Sequence, residues 1–213
     1  SIGAFILWML IGISTGTIAA LNKGKWQDRA ASIFTSVGVS LPTFYIGLLV
    51  LFSVVIWLRI LPFPSYESPF DNFPVFLRTM ILPWLVLAVL SAASYARLTR
   101  NGMLEAMNED FVRLGVAKGL TRRVILRRYV MRQALVPIVT IAGLDFAGLL
   151  GGAIITESVF SLPGMGKMSI RAVVESDLPV LVGTTMVAAV FIVLANVLVD
   201  IAYGFLDPRV RVK

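Results

Sequence analysis

Neither cysteine nor histidine occurs anywhere in the 213 residues. Without cysteine there is no disulfide framework and no thiolate to hold a metal, and the redox compartment cannot be read. Without histidine the commonest general base and the imidazole metal ligand are gone as well. Charge is also scarce: Asp, Glu, Lys and Arg make up 15% of the chain, against about 25% in a typical soluble domain. A water-soluble fold of this length could not cover itself with so little charge, and most hydrolytic and zinc chemistries lose their principal residues. What fills the chain instead is apolar, at 58% hydrophobic residues and a mean hydropathy of +0.88.

A helix needs roughly 20 mainly apolar residues to cross a hydrocarbon core of about 30 Å. Five runs approach that length, at about 1–21, 39–61, 79–96, 134–160 and 179–205. The first has no basic residue before its apolar stretch and has Lys23, Lys25 and Arg29 after it. That is the reverse of a secretory signal, so it is taken as a span. The expected fold is all-α and polytopic, a single transmembrane domain over 1–213 with five membrane helices.

Loops alternate across a membrane, and basic residues near span ends stay in the cytoplasm. One side collects fifteen of the nineteen basic residues: Lys23, Lys25 and Arg29, nine between positions 97 and 133, then Arg209, Arg211 and Lys213. The other side has Arg59, Arg78, Lys167 and Arg171. The asymmetry predicts a cytoplasmic C-terminus, a cytoplasmic basic loop and an outer position for Ser1. A further span is expected before Ser1.

The loop over 97–133 carries nine basic residues against Glu105, Glu109 and Asp110. Retention inside the cell and attraction to anionic lipid headgroups account for several of these charges. They do not account for the order of the residues. Asn108 is placed to cap a short helix with Glu109 and Asp110 in its first turn; Phe111, Leu114, Gly115 and Ala117 follow, and Lys118 precedes the helix-ending Gly119. Thr121 then opens a second helix, with Val124, Ile125, Arg128, Met131 and Leu135 expected near one face. The reading is a bent helical pair on a glycine hinge at the cytoplasmic surface, shaped to fit a groove of a partner protein. Nucleic acid is not an expected partner, because phosphate contacts would compete with anionic lipid for the same charges.

The segments "DFVRLGVAKGLTRRVILRRYVMRQALVP", "GGAIITESVFSLPGMGKMS" and "NVLVDIAYGFLDPRVR" occur in this order along the chain. Together they resemble the permease subunits of bacterial dipeptide, oligopeptide, glutathione and nickel ABC importers, and more narrowly the first, B-type permease of such systems. The likeness runs over essentially the whole sequence. It implies a type I ABC importer permease fold with a core of six spans, the first absent from this stretch. It also implies that 97–133 is the EAA-type loop, whose short helix docks into a cleft of the ATP-hydrolysing subunit, with Phe111, Arg113, Leu114, Gly115, Ala117, Lys118 and Gly119 as the coupling residues. Arg113, Leu114 and Gly115 stand where the general motif has Glu-Ala-Ala, and the segment 129–132 departs from its Ile-x-Leu-Pro. The implied partners are a second homologous permease, two ATP-binding subunits and an extracytoplasmic solute-binding protein, in the bacterial cytoplasmic membrane. ATP and Mg would be held by the partner ATPases, with no cofactor, metal or catalytic residue in this chain.

Three further features bear on mechanism. "GMGKMS" at 164–169 looks like a phosphate loop, but Ser161 stands where the first glycine is required and Met168 follows Lys167; a turn or short re-entrant segment facing a binding protein is expected instead. Asp145 lies near the middle of the fourth apolar run, where a charge faces a bundle interior or a wet cavity; it lines the pathway, serves as a hydrogen-bond partner to a neighbouring helix, or is a carboxylate held neutral. Glu157 is expected at the outer mouth, solvated at its rim, and the small residues of 148–153 are expected to allow close helix contact. Two functions fit: a permease of an ATP-driven importer of peptides, or of nickel or glutathione, and a proton-coupled secondary transporter using Asp145.

Overall fold

The computed structural model describes residues 1–150 and 153–206, without the side chains at 199, 200 and 202–206. All regular structure among these residues is helical. Helix α1 (Ile2–Leu21) and helix α4 (Phe73–Ala106) form the central pair. Lipid is as apolar as leucine, so membrane helices associate through small residues that let their backbones approach. Gly12 and Gly16, one turn apart on α1, meet this need. A Cβ at Gly12 would fall 2.6 Å from that of Tyr95, and one at Gly16 would fall 2.5 Å from the Ala96 carbonyl oxygen. Gly3 lies against Trp84 in the same register. The contacts advance together along both helices, so α1 and α4 run parallel, and the chain between them must travel back.

It does so in two pieces. Helix α2 (Trp26–Ser40) runs antiparallel to α4, with Asp28 at Arg100, the Thr35 carbonyl at Arg97 and Gly38 at Ala93. Helix α3 (Thr43–Val50), prolonged by a π-helical turn over Leu51–Trp57, continues past Val86. The two pieces meet at 105°. Leu41 precedes Pro42 and is pushed to extended geometry (φ −95°, ψ 133°). The second span is therefore not the straight run 39–61: it begins in a polar helix, which a hydropathy window passes over, and is broken at Leu41–Pro42.

Asn72 caps α4 by accepting the Val75 N–H, and Pro74 sits in the first turn where its missing donor costs nothing. The helix then continues through Pro83 for 34 residues, about 51 Å at 1.5 Å per residue. The third apolar run, 79–96, is only its middle. Residues 97–106, expected in the loop, are its projecting end.

After helix α5 (Asp110–Ala117), one helical rod spans Arg122–Leu150: α6 (Arg122–Val124), a π-helical turn (Ile125–Val130) and α7 (Met131–Leu150). The fourth run, 134–160, is not one span, since α7 ends at Leu150 and the separate short helix α8 (Ile154–Val159) follows. Helix α9 (Met165–Val174) and the long apolar α10 (Leu178–Leu206) complete the chain, with α10 packed on α7. The basic residues at 209, 211 and 213, and Gly151 and Gly152 of the small-residue run, lie outside the described residues.

Candidate functional site

The projecting end of α4 carries the predicted coupling region. Asn108 does not cap α5: its side-chain amide donates to the Leu104 carbonyl at 3.0 Å and closes α4 instead, leaving Glu109 as the N-cap. Helix α5 ends as expected at Gly119. The Gly119 N–H donates to Val116 and the Leu120 N–H to Gly115, and Gly119 takes φ +73°. This paired closure needs a left-handed residue that only glycine adopts without cost.

Phe111, Val112 and Leu120 turn inward onto a core of Ala20, Met103, Ala106, Ile125, Val130 and Ala134. The Phe111 ring lies 6.4 Å from that of Tyr129. Gly115 is buried, because a Cβ there would stand 3.2 Å from Ile125; its smallness lets α5 approach its own chain. The outward surface is formed by Arg113, Leu114, Val116, Ala117 and Lys118. Leu114 is 60% exposed and Val116 64% exposed, an apolar pair flanked by cations. Val116 was not among the predicted residues; its apolar character, set against the exposed Arg113 and Lys118, was the available signal.

The face expected for the second helix also shifts. Ile125, Val130, Ala134 and Ile138 are buried, whereas Val124 and Arg128 are exposed. A π turn places an extra residue in the helical circuit, so the buried position after Ile125 is the fifth residue on, and the α-helical spacing resumes only from Val130. Thr121 occupies the N-cap of α6 without a side-chain cap bond.

Deeper in the membrane, Asp145 and α4 are joined by a bond whose partner residue the sequence does not name. The Tyr95 hydroxyl donates to Asp145 Oδ2 at 2.7 Å. Tyr95 is itself 2% exposed, and its ring centroid lies 5.6 Å from that of Trp8. Asp145 and Tyr95 both border a cavity of about 440 Å³ whose wall includes Thr43, Ser91 and Ser94. The pathway and helix-bridging roles expected for Asp145 are thus compatible in one geometry. Gly148 also borders this cavity. A Cβ there meets nothing within 4 Å among the described residues, so Gly148 makes no close helix contact within them.

Glu157 is half-buried and holds backbone groups on both sides. Its Oε1 accepts the Ala153 N–H at 3.2 Å and its Oε2 the Lys167 N–H at 2.8 Å. It therefore staples α8 to the first turn of α9, where the helix dipole favours a carboxylate. "GMGKMS" forms the start of a helix whose amino end this carboxylate occupies, rather than a turn.

A second unpredicted pair joins α2 to α4. Arg100 donates to Asp28 in bidentate fashion, Nε to Oδ1 at 2.6 Å and Nη2 to Oδ2 at 3.0 Å, and the Gly24 N–H adds a bond of 2.9 Å. An acidic residue inside the basic stretch 23–29 was the signal. No group of three or more metal-ligating side chains is present among the described residues.

Residues 12–212 match the family model described as "Binding-protein-dependent transport system inner membrane component". A protein of Sinorhizobium fredii named "Probable peptide ABC transporter permease protein y4tP" is 36% identical over 211 residues, covering 99% of this chain and 67% of the relative. The "Dipeptide transport system permease protein DppB" of Bacillus subtilis is 35% identical over 208 residues, covering 98% and 65%. The chain thus spans about two thirds of the length of these relatives. Among solved structures, an inward-facing MetNI methionine ABC transporter aligns over 96% of this chain and 89% of its own with TM-score 0.69 at 18% identity. An amino acid ABC transporter crystallised with histidines aligns over 93% and 86% with TM-score 0.62 at 19% identity. At these identities the likeness shows the fold, the type I importer permease architecture expected from the sequence.

Proposed function

The chain belongs to the inner membrane components of binding-protein-dependent transport systems, and from that premise we propose that it is the permease subunit of an ATP-driven importer of peptides. It pairs with a second homologous permease to form the pathway. An extracytoplasmic binding protein delivers cargo, and two ATP-binding subunits, which hold the ATP and Mg, drive the cycle from the cytoplasmic side. The coupling region and the C-terminus face the cytoplasm of a bacterial cell. Peptide as cargo is supported by the names of the relatives.

The observation that carries this reading is the exposed Leu114 and Val116 on α5, between Arg113 and Lys118. A helix that presents two apolar side chains and two cations while Phe111 and Gly115 anchor its other face is built to seat in a partner's acidic-rimmed cleft. Its anchor core includes Met103 of α4 and Ala134 of α7. A displacement imposed on α5 by closing ATPase subunits therefore reaches both membrane helices through packed side chains. Residues 113–119 transmit force and perform no chemistry.

The test is to tag the full-length permease in its native host, extract it in mild detergent and identify what copurifies. Two ATPase chains, a second permease and a binding protein are expected. Recovery of the chain alone, under conditions that preserve other ABC complexes, overturns the proposal.

A further inference from the structure

Asp145 is a carboxylate at mid-membrane depth, exposed to a cavity of about 440 Å³ and bonded through Oδ2 to Tyr95. An intramembrane carboxylate requires a partner for its charge, and such residues mark pathways and binding sites for that reason. Among the described residues the cavity wall contains no Lys or Arg, and the chain contains no histidine. No cation of the described residues therefore faces Asp145 across this cavity, and the carboxylate is open to a cation brought by an occupant.

The rest of the wall narrows the class. Trp8, Leu87, Tyr95, Leu149, Ile154 and Ile155 make most of it apolar or aromatic, which suits a cation carried on an organic body. Thr43, Ser91 and Ser94 add hydroxyls able to orient a peptide group. Volume, one carboxylate without a cationic partner among the described residues, aromatic faces and a set of hydroxyls together describe an organic ligand pocket.

We propose that this cavity is a binding station for a primary ammonium group of the cargo, with Asp145 as its counter-ion and Tyr95 as the residue that positions the carboxylate. The ammonium is that of a peptide's amino terminus or of a lysine side chain. The proposal rests on the peptide-permease reading and deepens it.

The test uses the whole purified importer without its binding protein, with equilibrium dialysis of three labelled peptides: trialanine, N-acetyl-trialanine and N-acetyl-Ala-Lys-Ala. Trialanine binds the wild type. Asp145→Asn weakens that binding by roughly tenfold or more through loss of a charge-assisted contact, Asp145→Glu restores part of it, and N-acetyl-trialanine does not bind. Binding of N-acetyl-Ala-Lys-Ala extends the site to lysine side chains, and its rejection confines the site to the amino terminus. Trialanine binding equally tight in wild type and Asp145→Asn, or absent from both, overturns the proposal. ATP-dependent uptake of trialanine by wild-type proteoliposomes is measured in parallel; its absence would sink the permease reading itself.

Discussion

Single side chains decide how the two ends of this fold are clamped. Asp28 holds three hydrogen bonds, two from Arg100, and charge-assisted bonds contribute more than neutral ones. Asp28→Asn is expected to destabilise the detergent-extracted protein by about 2 kcal/mol at neutral pH, read as a lowered melting temperature. An unchanged melting temperature in the variant would show that the Asp28–Arg100 pair does not clamp α2 to α4. Gly119, at φ +73°, sets the turn between α5 and α6. A β-branched residue there costs roughly 1–3 kcal/mol of strain, enough to misplace α5. Gly119→Val should insert normally yet lower uptake per ATP by roughly tenfold, and unaltered coupling would remove the hinge from the mechanism. At this scale the sequence was legible where one residue type answers one backbone need, as at Gly119. It was silent on pairs such as Tyr95 with Asp145, which stand 50 positions apart.

Elements were legible in proportion to their hydropathy. The first and last spans stand out because α1 and α10 are apolar along nearly their whole length. The broken second span is hidden from a hydropathy window because α2 carries Gln27, Asp28, Arg29 and four hydroxyl side chains, and these are tolerated where they face α4 or lie near the polar end. The end of α4 is not legible in the sequence because length beyond the bilayer carries no hydropathy signal. The π turn at Ile125–Val130 was invisible to any search at a fixed helical period. Small residues, by contrast, could not be ranked by sequence at all. Gly16 is pressed against the α4 backbone, while Gly148 opens on a cavity. Gly16→Val should therefore destabilise by about 1–3 kcal/mol through overpacking, seen as lost monodisperse protein after extraction. Gly148→Ala should leave the same measurement unchanged; equal damage from both would remove the α1–α4 contact as the cause.

Over the whole molecule, parallel α1 and α4 with an antiparallel return through α2 and α3 describe the same alternation that the charge count describes, from an independent source. The chain has no cysteine, so single cysteines introduced into the tag-free protein report sidedness without background. Gly24→Cys and Lys118→Cys should react with an impermeant maleimide only from the cytoplasmic side. Ser68→Cys and Ser176→Cys should react only from the outer side. Labelling of Gly24→Cys and Ser68→Cys from one side would contradict the return pass.

The sequence by itself determined the class: scarce charge, five long apolar runs and the lopsided distribution of Lys and Arg demand a helical membrane protein, because solvation sets all three. Its ordered motifs also carried the resemblance to the permease family. Tertiary structure alone decided which polar residues meet. It paired Asp28 with Arg100 and Tyr95 with Asp145, bound Glu157 to the start of α9, turned Gly115 inward and left Leu114 and Val116 outside. The physical reason is that burial in lipid depends on composition, which one chain segment states locally. Hydrogen bonds and close contacts depend on the register between helices, which no segment contains.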